Sequence, residues 1–328
     1  MDTDPDDTRD NVVPGSDASL ETPDVRGYDF RGEFDFDALL ESYATTGFQA
    51  THLAQAIEIC RRMRADDATV YLTFTSNIVS SGLRETLAYL IREGFVDVAI
   101  TTSGSLAEDV IKTAKPFKMG AWDVDEGELR ERGINRLGNI FVPSDRYVWL
   151  EEYLYDFFDD FFAEESLRTP SEFARELGAT LDDDDSVLSV AADRDVPIYC
   201  PALTDAEIGN FLYYYKQRQD RDVDVGIEIT DDYDALIEDG LAADTTGLVV
   251  VGAGVPKHHA IMTNLFRGGA DYAVYLSTGM EGDGSLSSAP PDEAVSWGKI
   301  KDDRRNHVQV EAEATLVLPL LVAGAFTE

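Results

Sequence analysis

The chain has 328 residues, of which 64 are acidic and 27 are basic, and its formal net charge at pH 7 is −37. A charge of this sign and size excludes nonspecific nucleic-acid binding as the main activity, because phosphate groups would be repelled. No apolar run reaches the roughly 20 residues that a membrane-spanning helix needs. The acidic N-terminus also differs from a basic signal peptide, so we expect a cytoplasmic protein that binds no membrane.

The hydrophobic content of 44% and the many aliphatic and aromatic side chains indicate a folded protein rather than a disordered one. We therefore interpret the acidic excess as a surface adapted to molar salt, where the electrostatic screening length falls to about 3 Å. Cys60 and Cys200 lie among apolar residues and are predicted to be buried core residues rather than a disulfide. The chain has four histidines, and we predict no structural zinc site and no other metal.

Residues 1–27 are polar and without periodicity, which predicts a flexible acidic N-terminal arm ahead of one globular domain over residues 28–328. Apolar spacing predicts helices, with a break between the first two at Gly47, over Asp37–Tyr43, His52–Arg64, Gly82–Arg92, residues 146–178 and an apolar C-terminal segment. Short β-branched and aromatic runs predict strands over Thr69–Phe74, Val96–Thr101, Val196–Cys200, Gly247–Gly252, Tyr272–Leu276 and Val308–Ala312.

This alternation predicts an α/β fold, a Rossmann-like single domain with a mostly parallel sheet flanked by helices and an N-terminal extension. We find no internal repeat and no second domain. Ligands in such sheets bind beyond the carboxyl ends of the strands. The loops there are small, hydroxyl-rich and followed by helices, which favours an extended nucleotide, although none matches the Gly-x-Gly-x-x-Gly fingerprint. The loops begin at Thr75, Thr101, Pro201, Gly252 and Ser277.

A single lysine near the C-terminus is the main catalytic candidate. Only 7 of the 27 basic residues are lysine, yet Lys299 stands beside Trp297 and Gly298 in an apolar segment. A desolvated amine there favours its neutral, nucleophilic form and suits imine chemistry. Taken alone, the segment also fits a solvated lysine at a strand end. His258 follows a glycine loop and is a candidate for proton transfer near neutral pH.

Nine motifs, spread from about Val25 to the C-terminus, carry a resemblance to a known family. They are Gly27–Phe30, Thr45–Thr51, Thr75–Asn77, Ser80–Gly82, Gly133–Arg136, Pro201–Asp205, Lys257–His259, Gly269–Tyr275 and Pro291–Ile300. In these motifs the chain resembles deoxyhypusine synthase. The last motif is the most specific, because it holds ten consecutive near-identical residues around the candidate lysine.

The resemblance implies a transferase that uses NAD as a recycled redox cofactor. The aminobutyl part of a polyamine is oxidised to an imine, with hydride passing to NAD, and is captured by the lysine that matches Lys299. The group is then passed to a specific lysine of translation initiation factor 5A and reduced by the same NADH, which gives deoxyhypusine. The resemblance also implies a homotetramer with sites built across a dimer interface, in which an N-terminal arm can cover a neighbour's site.

The resemblance implies two sets of binding residues beside the catalytic pair Lys299 and His258. The cofactor contacts fall on Ser76, Asn77, Ile78, Val79, Ser80, Thr102, Ser103, Gly104, Glu108, Asp205, Ala253, Thr278, Gly279, Asp283, Glu313 and Ala314. The donor contacts fall on Glu108, Asn210, His258, Gly284, Ser285, Glu293 and Trp297. Ala253 stands where the family usually has a glycine, and Glu313 stands where it has an aspartate.

The implied donor pocket departs from the family pattern at three positions. Ala107, Asn210 and Leu286 stand where the family has carboxylates. Because the chain gains acids elsewhere, their loss predicts a changed donor, agmatine rather than spermidine, with Leu286 and Ala107 forming an apolar wall. Two other interpretations stay open. One is transfer of the same group to a free amine, as in homospermidine synthesis, and the other is a non-catalytic NAD-binding regulatory subunit.

Overall fold

The computed structural model of the protein describes residues 21–218 and 224–327. The strands in these ranges are β1 Thr69–Phe74, β2 Val98–Ile100, β3 Lys118–Met119, β4 Ile134–Leu137, β5 Ile140–Pro143, β6 Leu167–Arg168, β7 Ile198–Tyr199, β8 Gly226–Ile227, β9 Thr246–Val251, β10 Tyr272–Ser277 and β11 His307–Glu311. The α-helices are α1 Phe36–Thr46, α2 Phe48–Ala65, α3 Ser76–Ser80, α4 Arg84–Arg92, α5 Ser103–Ala114, α6 Glu126–Glu131, α7 Asp145–Phe161, α8 Pro170–Ala179, α9 Val187–Asp193, α10 Glu207–Gln217, α11 Thr230–Ala242, α12 Gly254–Leu265, α13 Pro291–Ser296 and α14 Ala314–Ala325.

The central sheet has six strands in the order β11-β10-β9-β1-β2-β7, and every neighbouring pair is parallel. β1 and β9 pair along their whole length, from Thr69 opposite Thr246 to Phe74 opposite Val251. All of β9 and all but the first residue of β1 are buried, which explains why these strands are continuous apolar runs rather than alternating patterns. The predicted α/β fold with a mostly parallel sheet is confirmed.

Helices cover both faces of this sheet. The side chains of Val70, Leu72 and Phe74 on β1 enter the larger core, where α2 and α14 pack on β10 and β11. The side chain of Tyr71 points to a second core on the other face, which contains Ala260 of α12. The two-residue period of a strand therefore divides β1 between two cores, as a sheet buried on both faces requires.

Two features differ from the sequence prediction. Residues 146–178, predicted as helical throughout, form two helices, α7 and α8, which are separated by the short strand β6. The reason is local, because Pro170 begins α8 while Thr169 and Glu172 form a capping box at its start. A small antiparallel sheet in the order β3-β5-β4 also lies outside all predicted elements.

The predicted N-terminal arm falls mostly outside the described residues. Of residues 1–27, the structure describes 21–27, which are exposed and belong to no helix or strand. This segment is bound to the end of α1, where the backbone NH of Arg26 donates to the Thr45 carbonyl over 2.9 Å. The Thr45 hydroxyl donates in return to the Arg26 carbonyl over 2.6 Å.

Cys60 and Cys200 are free and buried, as predicted, and burial raises the pKa of each thiol to about 12. Both thiols therefore stay protonated and unreactive. Within the ranges that the structure describes, no group of three or more His, Cys, Asp and Glu side chains is arranged to hold a metal ion. No helix in those ranges is long and apolar enough to cross a bilayer.

The acidic side chains lie almost entirely on the surface. Among the described residues, the buried acids are Glu108, Asp109 and Asp232. Asp109 is well satisfied, since Arg84 donates to it over 2.5 Å and the Ser186 hydroxyl donates to its other oxygen over 2.8 Å. The other described carboxylates are exposed or half-buried, and the repulsion among the exposed ones depends on the salt concentration.

We expect the melting temperature to fall by more than about 10 °C, which for 328 residues corresponds to roughly 7 kcal/mol, when salt is lowered from about 1 M to about 0.1 M. The screening length grows from about 3 Å to about 10 Å over this change, so carboxylates on neighbouring surface elements repel one another more strongly. Thermal melting followed by circular dichroism measures the effect, and light scattering follows the oligomeric state. Equal melting temperatures and masses at the two salt concentrations would contradict the halophilic interpretation.

Candidate active site

A cleft of about 460 Å³ opens at the carboxyl edge of the central sheet. It is lined by residues that end or follow β1, β9, β10 and β11, which are four neighbouring strands. Parallel α/β sheets bind nucleotides at this position. Half of the predicted cofactor residues line the cleft, and these are Asn77, Ile78, Ala253, Thr278, Gly279, Asp283, Glu313 and Ala314.

At two positions around this cleft, the close approach of neighbouring loops requires glycine. Gly252 follows β9 with a φ of +93°, a left-handed conformation, and a Cβ there would lie 3.1 Å from the hydroxyl oxygen of Thr75. A Cβ on Gly279 would lie 2.8 Å from the Cα of Ser288. A larger residue at either position would therefore displace the loops that form the cleft.

The two acidic residues of the cleft are oriented by hydrogen bonds from their own segments. Glu313 is the N-cap of α14 and accepts from the backbone NH of Thr315 over 3.0 Å. Asp283 accepts from the Ser288 hydroxyl and, over 2.6 Å, from the backbone NH of Ser285. These hydrogen bonds lower the pKa of Asp283, and the one from Ser288 has the largest effect. Each carboxylate has oxygen lone pairs left for a sugar hydroxyl.

A second cavity, of about 230 Å³, surrounds the candidate catalytic lysine. Lys299 is 9% exposed, and its Nζ lies 5.2 Å from the centroid of the exposed Trp297 ring. A donor chain entering the cavity would therefore meet the amine and the indole together. The cavity is lined by Lys257, Ile261, Tyr275, Gly284, Leu286, Ala289, Pro290, Glu293, Ala294, Trp297 and Lys299.

The turn after α13 places Lys299 in this cavity. Pro291 occupies the first turn of α13, and Gly298 follows the helix with a φ of +71°. The backbone NH of Lys299 donates to the Ala294 carbonyl over 3.0 Å, and its carbonyl accepts from the Ala270 NH over 3.0 Å. The backbone is thereby fixed on both sides of the lysine, and the side chain alone remains to move.

The two adjacent histidines of α12 have different environments. Burial and the charge of Lys299 lower the pKa of His258, and this residue lines neither the cleft nor the Lys299 cavity. His259 packs against Tyr233 with ring centroids 5.1 Å apart, and burial, followed by the charge of His258, lowers its pKa to about 4. His258 is therefore mainly neutral near pH 7, whereas His259 contributes to packing.

A further group of predicted residues lies on or just before α3, α5 and α10 and lines neither cavity. Its centre is Glu108, a buried carboxyl that accepts from the Ser80 hydroxyl and whose pKa is raised to about 7 by burial. A Cβ on Gly104 would lie 3.0 Å from the Cβ of Ser76, so α3 and α5 begin in close contact. The members are Ser76, Val79, Ser80, Thr102, Ser103, Gly104, Glu108, Asp205 and Asn210, of which the last two are exposed.

The two residues of the predicted apolar donor wall lie in different places. Leu286 lines the Lys299 cavity, whereas Ala107 is fully buried in the hydrophobic core, because the face of α5 that carries it packs inward. Lys257 is the charged residue of this cavity to which sequence reasoning assigned no role. The scarcity of lysine was the available signal, since two of the seven lysines in the chain line one cavity.

Comparisons with known proteins agree with this fold and site. A family model for deoxyhypusine synthase matches residues 38–325. A relative from Halobacterium salinarum, named a probable deoxyhypusine synthase, is 78% identical over 98% of each chain. Another of the same name, from Pyrococcus abyssi, is 46% identical over 87% of this chain and 89% of the relative. The crystal structure of a candidate deoxyhypusine synthase from Entamoeba histolytica superposes with a TM-score of 0.67 and 28% identity, over 92% of this chain and 96% of that chain.

A parallel α/β sheet with a cleft at its carboxyl edge, beside a cavity that holds a buried lysine, is an arrangement found in α/β enzymes that bind a ligand at the ends of their strands. The family model and the relatives cover nearly the whole chain, so the chain can be assigned to a family. The chain belongs to the deoxyhypusine synthase family, and it is a transferase. The Halobacterium relative also agrees with the halophilic interpretation of the surface.

Proposed function

We propose that the domain over residues 28–328 transfers a 4-aminobutyl group from a polyamine-type donor to a specific lysine of translation initiation factor 5A, in the cytoplasm, with NAD as a recycled cofactor. The observation that carries this proposal is the buried Lys299 in a cavity next to a cleft at the carboxyl edge of the sheet. Family membership supports deoxyhypusine as the product.

The cleft fits NAD in size and in chemistry. Its volume of about 460 Å³ lies in the range of roughly 300–1,000 Å³ that is usual for cofactor sites. Asp283 and Glu313 can accept hydrogen bonds from ribose hydroxyls, and the backbone NH groups at the start of α12 can donate to the pyrophosphate. When bound, the cofactor supplies a hydride acceptor and, once reduced, a hydride donor.

Lys299 would carry the aminobutyl group between donor and acceptor. After the donor C–N bond is oxidised to an imine, the neutral amine of Lys299 attacks the imine carbon, and the rest of the donor leaves as an amine. In this proposal, His258 accepts the proton that Lys299 loses and returns it to the leaving amine. Attack by the acceptor lysine then frees Lys299 and moves the imine to the acceptor, where reduction gives a secondary amine.

We also propose a homotetramer in which a second copy completes the site. The predicted contacts around Glu108 and Asn210 line neither the cleft nor the Lys299 cavity within one chain. The family resemblance assigns all of these residues to the same cofactor and donor. A protomer that presents its own α5 and α10 to the open cleft of its neighbour would unite the two groups.

A transfer assay in molar salt tests the proposed function. Purified protein, NAD, a labelled donor and the acceptor factor are expected to yield a factor whose target lysine carries the aminobutyl group, as detected by mass spectrometry. Reactions without NAD, or with the target lysine of the factor changed to arginine, are the controls and should yield no product. Transfer to a free amine alone would reassign the chain to homospermidine-type synthesis, and NAD binding without any transfer would reassign it to a regulatory role.

A further inference from the structure

One short segment separates the cofactor cleft from the Lys299 cavity. Residues 283–290, which we call the partition loop, form no strand or α-helix. The loop contributes residues to both sides, with Asp283, Ser287 and Ser288 lining the cleft and Gly284, Leu286, Ala289 and Pro290 lining the cavity. The shape of both compartments therefore depends on where this loop lies.

Lys257 binds the partition loop from the interior of the protein. Its Nζ lies 3.0 Å from the carbonyl oxygen of Leu286, 3.3 Å from that of Ser287 and 2.7 Å from that of Ala289. An ammonium group has three N–H donors, so each has an acceptor on the loop. Lys257 is 2% exposed, and its Nζ also lies 4.7 Å from the centroid of the Tyr275 ring.

The charge of Lys257 is maintained by these acceptors rather than by water. Burial lowers the pKa of Lys257 to about 8, and the carboxylate of Glu293 acts in the opposite direction. Carbonyl oxygens that accept hydrogen bonds from the ammonium favour the charged form, so the cation and the loop stabilise each other. Near neutral pH Lys257 is therefore mainly charged, with its N–H groups directed at the loop carbonyls.

We infer that Lys257 is a positioning residue that holds the partition loop between the cofactor cleft and the Lys299 cavity, and thereby sets how the donor lies relative to the cofactor. Lys257 binds the backbone carbonyls of Leu286 and Ala289, and both of these residues line the cavity. Lys257 therefore acts on the donor through them. The kinetic part of this inference rests on the proposed function. The effect on the loop itself does not depend on that function.

Lys257→Met tests the inference, because methionine has a similar length but donates no hydrogen bond. Hydrogen exchange of the intact protein in molar salt is expected to become at least about tenfold faster over residues 283–290 and to stay unchanged in β9 and β10. The KM for the donor is expected to rise at least about tenfold, since the cavity wall is no longer fixed. Lys118→Met, at an exposed lysine on β3, is the matched control and should change neither quantity.

Lys257→Arg keeps a buried cation with several N–H donors and is expected to retain part of the loop protection. Lys257→Gln, which keeps an amide donor, replaces the methionine variant if that variant does not fold, with faster loop exchange expected again. Unchanged exchange over residues 283–290 in either uncharged variant, or equally fast exchange in the arginine variant, would overturn the inference. Faster exchange throughout β9 and β10 would overturn it as well. In a further outcome, the loop responds as expected while the unmodified protein transfers no aminobutyl group. That result would contradict the proposed function and leave the positioning role of Lys257 supported.

Discussion

Replacing Lys299 with arginine is expected to abolish aminobutyl transfer, a loss of more than about 1,000-fold, while NAD binding stays nearly unchanged. Arginine remains protonated in proteins and offers no neutral amine to attack an imine carbon. The cofactor cleft is lined by other segments of the chain, so its residues keep their positions in the variant. Borohydride reduction of a reaction with labelled donor measures the covalent adduct, and titration with NAD measures cofactor binding.

Lys301→Arg is the matched control for this experiment. Lys301 lies two residues further along the chain, is partly exposed and pairs with Asp271, outside the residues that line either cavity. The Lys301→Arg variant should form the borohydride-trapped adduct and transfer the aminobutyl group as well as the unmodified protein does. Robust trapping of the aminobutyl group in the Lys299→Arg variant would remove Lys299 from the mechanism.

The inner strands of the central sheet could be predicted from the sequence because they are buried on both faces. Every position of β9 therefore favours an apolar or β-branched residue, and the run is visible without alternation. β6 and β8 have two residues each, too few for any periodicity, and could not be predicted. The turn between β4 and β5 did carry a signal, since Gly138 and Asn139 stand directly before the apolar run of β5.

The site could be predicted from the loops that follow the strands, several of which line the cleft, and from residues whose identity was unusual. Lys299 stands out because lysine is scarce in the chain. The role of Lys257 could not be predicted, because its acceptors are backbone carbonyls 29 to 32 residues further along, which any sequence would supply. The burial of Ala107 likewise follows from the way α3, α7 and α10 pack on α5, which no local pattern specifies.

From the residues that line the Lys299 cavity, we expect agmatine to be a better donor than spermidine. Among the described residues that line this cavity, Glu293 is the single acid, and Leu286 stands where the resemblance implies an aspartate. Spermidine has three amine centres, and each charge-assisted hydrogen bond contributes about 1.5–3 kcal/mol. Losing two such partners would cost roughly 3–6 kcal/mol, or about two to four decades in affinity. Agmatine has one ammonium and one planar guanidinium, which fewer acceptors can satisfy.

The chemistry itself does not separate the two donors. Both carry the same aminobutyl chain, so oxidation of the C–N bond and capture by Lys299 proceed alike. The leaving group is guanidine for agmatine and a diamine for spermidine. The preference must therefore come from binding of the distal cationic group, and Ala107, being in the core, contributes nothing to it. The preference then depends on Leu286 in the cavity and, in the proposed homotetramer, on Asn210 of a second copy.

Competition between the two donors at equal concentration in high salt measures the preference as a ratio of kcat/KM values. Agmatine is expected to exceed spermidine by at least about tenfold, since the loss of even one charge-assisted partner is worth that much. Leu286→Asp restores a carboxylate to the cavity wall and should shift the ratio toward spermidine by about tenfold or more. Leu241→Asp, at an exposed leucine of α11, adds the same charge away from the cavity and should leave the ratio unchanged. A higher kcat/KM for spermidine with the unmodified protein would contradict the prediction that agmatine is the preferred donor. It would show that other acids of the assembled site replace the missing carboxylates.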